Sequence, residues 1–315
     1  MSPFLFTIVL TVLIKDARRL LRDNHGVVFD QSLVIQELLY ADDTLLMDTF
    51  VGAVEFYMRC VAEVGAEYGL TFNLAKLESM PVKCGDVVQG PGGGEIQSKD
   101  SMVYLGGLMS SDGKVDSELA RRIGAAKCDF RSLQKVWGHA SLPCKRKLEI
   151  YAACVVTTLL YNLNTVWLSA TARRRLDGFH ARCLRQILRI APAFLSRVSN
   201  DIVFRTARAQ KLSDILLQQQ LSCFGRIARM PDDAPIRQVL FEPGTLQLRS
   251  AGARKRGRPR ITWAGAVRQH AVNAAGGELE LQQKCSCEDT PQARRAWGAT
   301  VRQYLSSRTH EVAGG

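Results

Sequence analysis

Residues 38–48 read Leu-Leu-Tyr-Ala-Asp-Asp-Thr-Leu-Leu-Met-Asp. Two adjacent carboxylates, Asp42 and Asp43, are set between two short apolar runs, and this limits what the segment can become. Leu33 to Tyr40 and Thr44 to Met47 have the length and apolar content of strands. A tight connection at Ala41-Asp42 predicts a β-hairpin with both acids at its tip. A solvated Asp-Asp turn and a single buried helix are the competing readings, because short apolar runs fit either period. Two ionised carboxylates against apolar surface repel each other and are costly to desolvate. A divalent cation relieves both problems. Mg²⁺ takes oxygen ligands, commonly one or two carboxylates plus substrate phosphates.

Charge is divided unevenly along the 315 residues. The chain has a net charge of +12, but residues 1–115 carry 9 Lys/Arg against 15 Asp/Glu, a net of −6. Residues 116–315 carry 33 against 15, a net of +18. An acidic half followed by a basic half fits metal binding in one and polyphosphate binding in the other. An anionic membrane surface would attract the basic half equally on charge alone, but no lipidation motif accompanies it. A hydrophobic content of 46% supports packed cores.

Pro3 to Ile14 is apolar but lacks a basic leader and a small-residue cleavage site, and it is too short to span a bilayer. Ser2 as N-cap and Pro3 at the first helical position predict a buried helix over 3–22. The nine cysteines are scattered. Cys285-Ser286-Cys287 is the only close pair and no Cys/His cluster has zinc spacing, so free thiols in a reducing compartment are expected. The location implied is nuclear or cytoplasmic rather than secreted.

Further along, 51–68 reads as a helix, Leu77 to Val82 and Val103 to Met109 as strands, and the glycine-rich Gly85 to Gly94 as a loop. From Asp116 the period changes. Leu119, Ile123, Ala126, Phe130, Leu133 and Trp137 mark one amphipathic face. Lys145 to Tyr161 predicts a second helix, apolar almost all round and buried. Leu176, Phe179, Cys183, Ile187 and Ile190 mark a third, with Arg175, Arg182, Arg185 and Arg189 rotated away from that stripe. Such a basic stripe suits a nucleic-acid backbone, against the plainer reading of a solvated face. Leu217, Leu221, Phe224 and Ala228 suggest another helix. Residues 231–260 are rich in Pro, Gly and Arg and read as a linker. Its Arg254, Lys255, Arg256, Arg258 and Arg260 form a basic run, and Arg256-Gly257-Arg258-Pro259 matches the core of an AT-hook.

The Tyr40-Ala41-Asp42-Asp43 box resembles the polymerase signature of reverse transcriptases, in particular those of non-LTR (LINE-type) retrotransposons. The flanks match in order. Ser2-Pro3-Phe4-Leu5-Phe6 resembles the end of a Gln-Gly-x-Pro-x-Ser-Pro-x-x-Phe motif. Gly69-Leu70-Thr71-Phe72-Asn73-Leu74-Ala75-Lys76 resembles Gly-Leu-x-x-Asn-x-x-Lys. Tyr104-Leu105-Gly106-Gly107 resembles the primer-grip hairpin. Gly257-Arg258-Pro259 with Trp263, and Arg294-Arg295-Ala296-Trp297, resemble segments past the thumb, each without the family's usual acid.

The resemblance implies an α+β fold. A partial reverse-transcriptase palm with a YxDD hairpin would span 1–115, a helical thumb 116–230, the basic linker 231–260 and a mostly helical C-terminal region 261–315. It implies RNA-directed DNA polymerisation, with Mg²⁺ or Mn²⁺ on Asp42 and Asp43. Lys76 would approach the incoming dNTP; an ordinary surface lysine is the alternative. Ser2, Pro3, Tyr40, Tyr104, Leu105 and Gly106 would contact primer or nucleotide, and the partners would be an RNA template and a DNA primer or target. The family's third carboxylate comes from a strand that would precede residue 1. The chain alone is therefore expected to be inactive unless a missing N-terminal part of the polymerase supplies it. The other expectation is a non-catalytic, basic nucleic-acid-binding remnant.

Overall fold

The structure is a computed structural model and describes residues 3–23, 36–249 and 261–313. It is mostly helical α+β, with short two-stranded sheets. The chain divides into two compact units: Met1–Tyr104 with Leu108–Lys114, and Leu105–Gly107 with Val115–Gly315. Among the described residues, no helix is long and apolar enough to cross a membrane.

In the first unit, α1 (Pro3–Asp23) packs against α2 (Val51–Glu67). Leu13, Ile14 and Ala17 meet Tyr57, Cys60 and Val64. The expectation of a buried first helix fails over its opening turns: Phe4 is 83% exposed, and Leu5 and Ile8 are exposed as well. An apolar run shows only that burial would be favourable, and here α2 covers one side of the second half. Helix α2 ends in a Schellman turn. Gly69 takes φ +70°, Gly69 N donates to Ala66 O (3.1 Å) and Leu70 N to Gly65 O (2.8 Å). The Gly-Leu pair of the Gly69–Lys76 motif thus has a local structural role. Strands β1 (Glu37–Tyr40) and β2 (Asp43–Leu46) form an antiparallel hairpin. It is pinned to both helices by Glu37, which pairs with Arg18 of α1 and accepts the Tyr57 hydroxyl of α2.

The predicted strand at Leu77 to Val82 shrinks to β3 (Glu78–Ser79), paired in parallel with β4 (Gln97–Ser98). The strand expected at Val103 to Met109 is a second hairpin, β5 (Ser101–Tyr104) with β6 (Gly107–Ser110).

The second unit is helical. Helix α3 (Asp116–Ser132) follows the predicted stripe but breaks at Leu133 before α4 (Gln134–Gly138). The break lets Trp137 stack on Phe130 at 5.0 Å, with its indole N–H donating to Phe130 O (2.8 Å). The helix expected to be buried all round is α5 (Cys144–Tyr151), a π turn over Ala152–Val156 and α6 (Thr157–Leu160). Tyr151, Val155 and Leu159 face the core, while Ala152, Ala153, Cys154 and Thr157 are exposed. Small apolar residues made both sides look alike in sequence. Helix α7 (Ala170–Leu188) starts on Ser169, whose Oγ accepts from Ala172 N (3.1 Å). It is followed by the short α8 (Ala193–Ser196) and by α9 (Asn200–Ala207), which packs on α7.

Helix α10 (Leu212–Ala228) serves two cores. Leu212 and Leu216 join the core of α3 to α9. Leu217, Leu221 and Phe224 join a second one with α12 (Trp263–Ala275), α13 (Glu278–Cys285) and α14 (Pro291–Ala313). A Cβ at Gly225 would collide with the Trp297 indole, whose N–H donates to Leu221 O (2.8 Å). Within the stretch read as linker, α11 (Pro235–Leu240) forms and Phe241 is buried against Phe224, with a bridge from Phe241 to Leu248. Residues 250–260, with Arg254, Lys255, Arg256, Arg258 and Arg260, lie outside the described residues, as does Ser2.

His180 is buried between Tyr151 and Phe204, with Nδ1 2.9 Å from the Tyr151 hydroxyl. Burial pushes its imidazole down to about 4. An unfolded histidine takes up its proton near pH 6.5, so acid within this window favours the unfolded chain. The stability at stake is on the order of 3 kcal/mol. The melting temperature is therefore expected to fall as pH drops from 6.5 towards 4, and to fall less steeply in His180→Gln; a calorimetric pH series on both proteins checks this.

Candidate functional site

The β1–β2 hairpin closes with the two-residue connection Ala41-Asp42, in the register Tyr40 to Asp43, Leu39 to Thr44, Leu38 to Leu45 and Glu37 to Leu46. The sequence expectation of a hairpin here agrees with the structure. Ala41 takes φ +53°, a conformation that favours glycine and costs an L-residue about 1 kcal/mol. Asp42 lies in the turn and Asp43 begins β2, and both are exposed, as is Tyr40 at 63%. Exposure leaves the two carboxylates in water, which lowers the cost of their adjacency.

Tyr104, at the end of β5, lies within electrostatic reach of Asp43. Its phenol is pushed up by burial and then by the Asp43 charge. The two residues stand far apart in sequence and belong to two of the motifs. Lys76 ends the 3₁₀ turn Leu74–Lys76 and is exposed. Pro3 opens α1. Among the described residues, no three His, Cys, Asp or Glu side chains gather as a metal site. The oxygen donors of Asp42 and Asp43 suit Mg²⁺ or Mn²⁺, with the rest of the shell left to water or phosphate.

The turn Leu105-Gly106 is held by residues that the sequence reading did not single out. Leu105 and Gly106 both take positive φ, 47° and 72°. Leu105 O accepts the Tyr161 hydroxyl (3.0 Å). Gly106 O accepts Arg121 Nη2 (2.6 Å) and Arg122 Nη2. The buried Glu118 carboxylate holds both guanidiniums at 2.7 Å, and Arg122 also lies over the Tyr161 ring at 4.6 Å. A Cβ on Gly106 would sit 3.2 Å from that ring. The signal was present in the sequence: Arg122 falls between Leu119 and Ala126 on the buried face of α3, and a cation on an apolar stripe needs a partner.

On α7, Arg175 and Arg182 are exposed and seven residues apart, so they share one face, and Arg189 follows as the exposed C-cap of the helix. Arg185 does not belong to it. It is only 6% exposed and donates to Ala191 O (3.2 Å), Val198 O (2.6 Å) and Asn200 Oδ1 (3.0 Å). The helical wheel missed this because the chain folds back over that face after α7 ends. Arg189 reaches Gly138 O at 3.4 Å, and Gln186 bonds Gln134 at 2.9 Å, so α4 borders the basic face with its exposed Lys135. The two tryptophans of the C-terminal motifs are structural: Trp263 donates to Asn164 O (2.8 Å) and Trp297 is buried.

In comparisons with known proteins, the chain matches no family model, no curated protein and no solved structure.

Arg122→Met strips one partner from a buried carboxylate and is expected to cost about 3 kcal/mol. Adding Glu118→Leu should return much of it, because the pair is then removed together. Denaturant unfolding of the single and double variants measures the difference.

Proposed function

We propose that the chain is a reverse-transcriptase fragment of the non-LTR retrotransposon type, with 1–115 as partial palm and the helices from Asp116 as thumb. One observation carries the reading: Asp42 and Asp43 stand exposed at the tip of a two-residue hairpin, and the Asp43 charge acts on the Tyr104 phenol. The order of four motifs along 2–107 supports it further. A divalent ion held there would stabilise charge on a transferring phosphoryl group. Tyr40 and Tyr104 would flank the primer end, and Lys76 would approach the triphosphate of a dNTP. The exposed Arg175, Arg182 and Arg189 would take the phosphates of an RNA template paired to a DNA primer. The second reading is a non-catalytic, basic nucleic-acid-binding remnant. It is favoured by the absence of a third carboxylate beside the pair among the described residues.

The chain alone is expected to give no primer extension on a homopolymer template with Mg²⁺ or Mn²⁺, because two exposed carboxylates leave most of each ion's shell to water and position two ions poorly. Extension that vanishes in Asp42→Asn would overturn that expectation. Nucleic-acid binding is expected to survive Asp42→Asn and to fall steeply with salt. Replacing Arg175, Arg182 and Arg189 by Gln should reduce the slope of log affinity against log salt by roughly 2 to 3. Filter binding at several salt concentrations checks both; an unchanged slope would return these arginines to a solvated surface.

A further inference from the structure

Non-glycine residues with positive φ are few, and three of the seven among the described residues are arginines within twenty positions: Arg189 (58°), Arg197 (57°) and Arg208 (50°). Each is the C-cap of a helix, of α7, α8 and α9 in turn, and each is exposed. Glycine is the usual residue there, and a side chain in that conformation is strained. Arg189 precedes an exposed knob, residues 191–198, and Arg197 lies near its end, so the two flank α8. Phe194 at its crest is 72% exposed and Leu195 67%.

The knob is rigid. Arg185 ties its two ends together through Ala191 O and Val198 O, and Ser196 Oγ donates to Ala191 O (3.0 Å) and accepts from Val198 N (3.3 Å). A buried guanidinium therefore holds an aromatic ring in water between two strained, exposed cations. Asp201, the acid nearest along the chain, is paired with Lys211 at 3.2 Å.

We propose that this knob is a binding site for single-stranded nucleic acid, with the Phe194 ring as a stacking platform for one base and Arg189 and Arg197 on the flanking phosphates. The inference deepens the nucleic-acid reading above and rests on it. An aromatic face next to cations is what sequence-tolerant single-strand binding uses. The knob continues from the exposed Arg182–Arg189 face, in a half of the chain whose net charge is +18. Two apolar side chains on a fixed loop give too little area to hold a protein on a bilayer.

The experiment uses the full chain, a fluorescent 20-nucleotide oligo-U, a duplex of equal length, and vesicles with anionic headgroups. Phe194→Ala is expected to weaken oligo-U binding about tenfold and to leave the salt slope and duplex binding unchanged. Arg197→Gly is expected to lower the oligo-U slope by about 0.7 while raising the melting temperature by about 2 °C, because glycine relieves the strain. Opposite signs for stability and affinity are what a merely structural arginine would not give. Arg208→Gly, at the far end of α9, should stabilise without changing binding. If the wild type binds oligo-U and neither Phe194→Ala nor Arg197→Gly weakens it, the knob proposal fails and the reading of the α7 face stands. If the wild type binds no nucleic acid at any salt, both fall. Binding to vesicles that Phe194→Ala abolishes, with oligo-U binding intact, would reassign the knob to a membrane surface.

Discussion

A buried cation must find partners or unfold its surroundings, and the second unit meets this requirement repeatedly with backbone carbonyls. Arg122 takes Gly106 O, Lys147 takes Trp137 O at 2.9 Å, Arg185 takes Ala191 O and Val198 O, and Arg237 takes Ala228 O. Turn and helix-end carbonyls are the acceptors that secondary structure leaves over. Charge-assisted bonds to them contribute about 1.5–3 kcal/mol each where the cation stays buried. Each such residue fixes a place where the chain changes direction. The charge of the basic half is thus partly structural, and only its exposed part is free to meet phosphate.

This division explains what the sequence could reveal. The Asp42-Asp43 hairpin was legible because strand length, apolar flanks and a two-residue gap are local properties. The helices of the second unit were legible from their period. Arg185 was not: its fate depends on residues 191–200 returning over α7, which no periodicity records. Pro, Gly and Arg made 231–249 look like a linker, yet Arg237 pairs with Asp232 at 2.7 Å and anchors α11. Arg122 stood out as a cation on the apolar stripe of α3, but what it and Tyr161 bind did not. Arg122 donates to Gly106 O and Tyr161 to Leu105 O, and a backbone carbonyl leaves no mark in the sequence.

In the first unit the constraint is different. A lone two-stranded hairpin is marginal in water, and this one gains support through Glu37, bound by Arg18 and by Tyr57. Burial, then the Glu37 carboxylate, raises the Tyr57 phenol well above its ordinary range, so it remains a donor at any physiological pH. The far end of the hairpin is left in water with Ala41 strained and two acids side by side. Support at one end and charge at the other suit a hairpin that presents its acids, and we propose that Asp42 and Asp43 take a divalent metal there.

Mn²⁺ titration of the full chain, followed by electron paramagnetic resonance, decides whether they do. Weak binding is expected, with a dissociation constant on the order of a millimolar because most of the ion's shell remains water. The Asp42→Asn, Asp43→Asn double variant should lose that binding, with circular dichroism unchanged. Mn²⁺ binding that persists undiminished in the double variant, or none at all in the wild type, would contradict it.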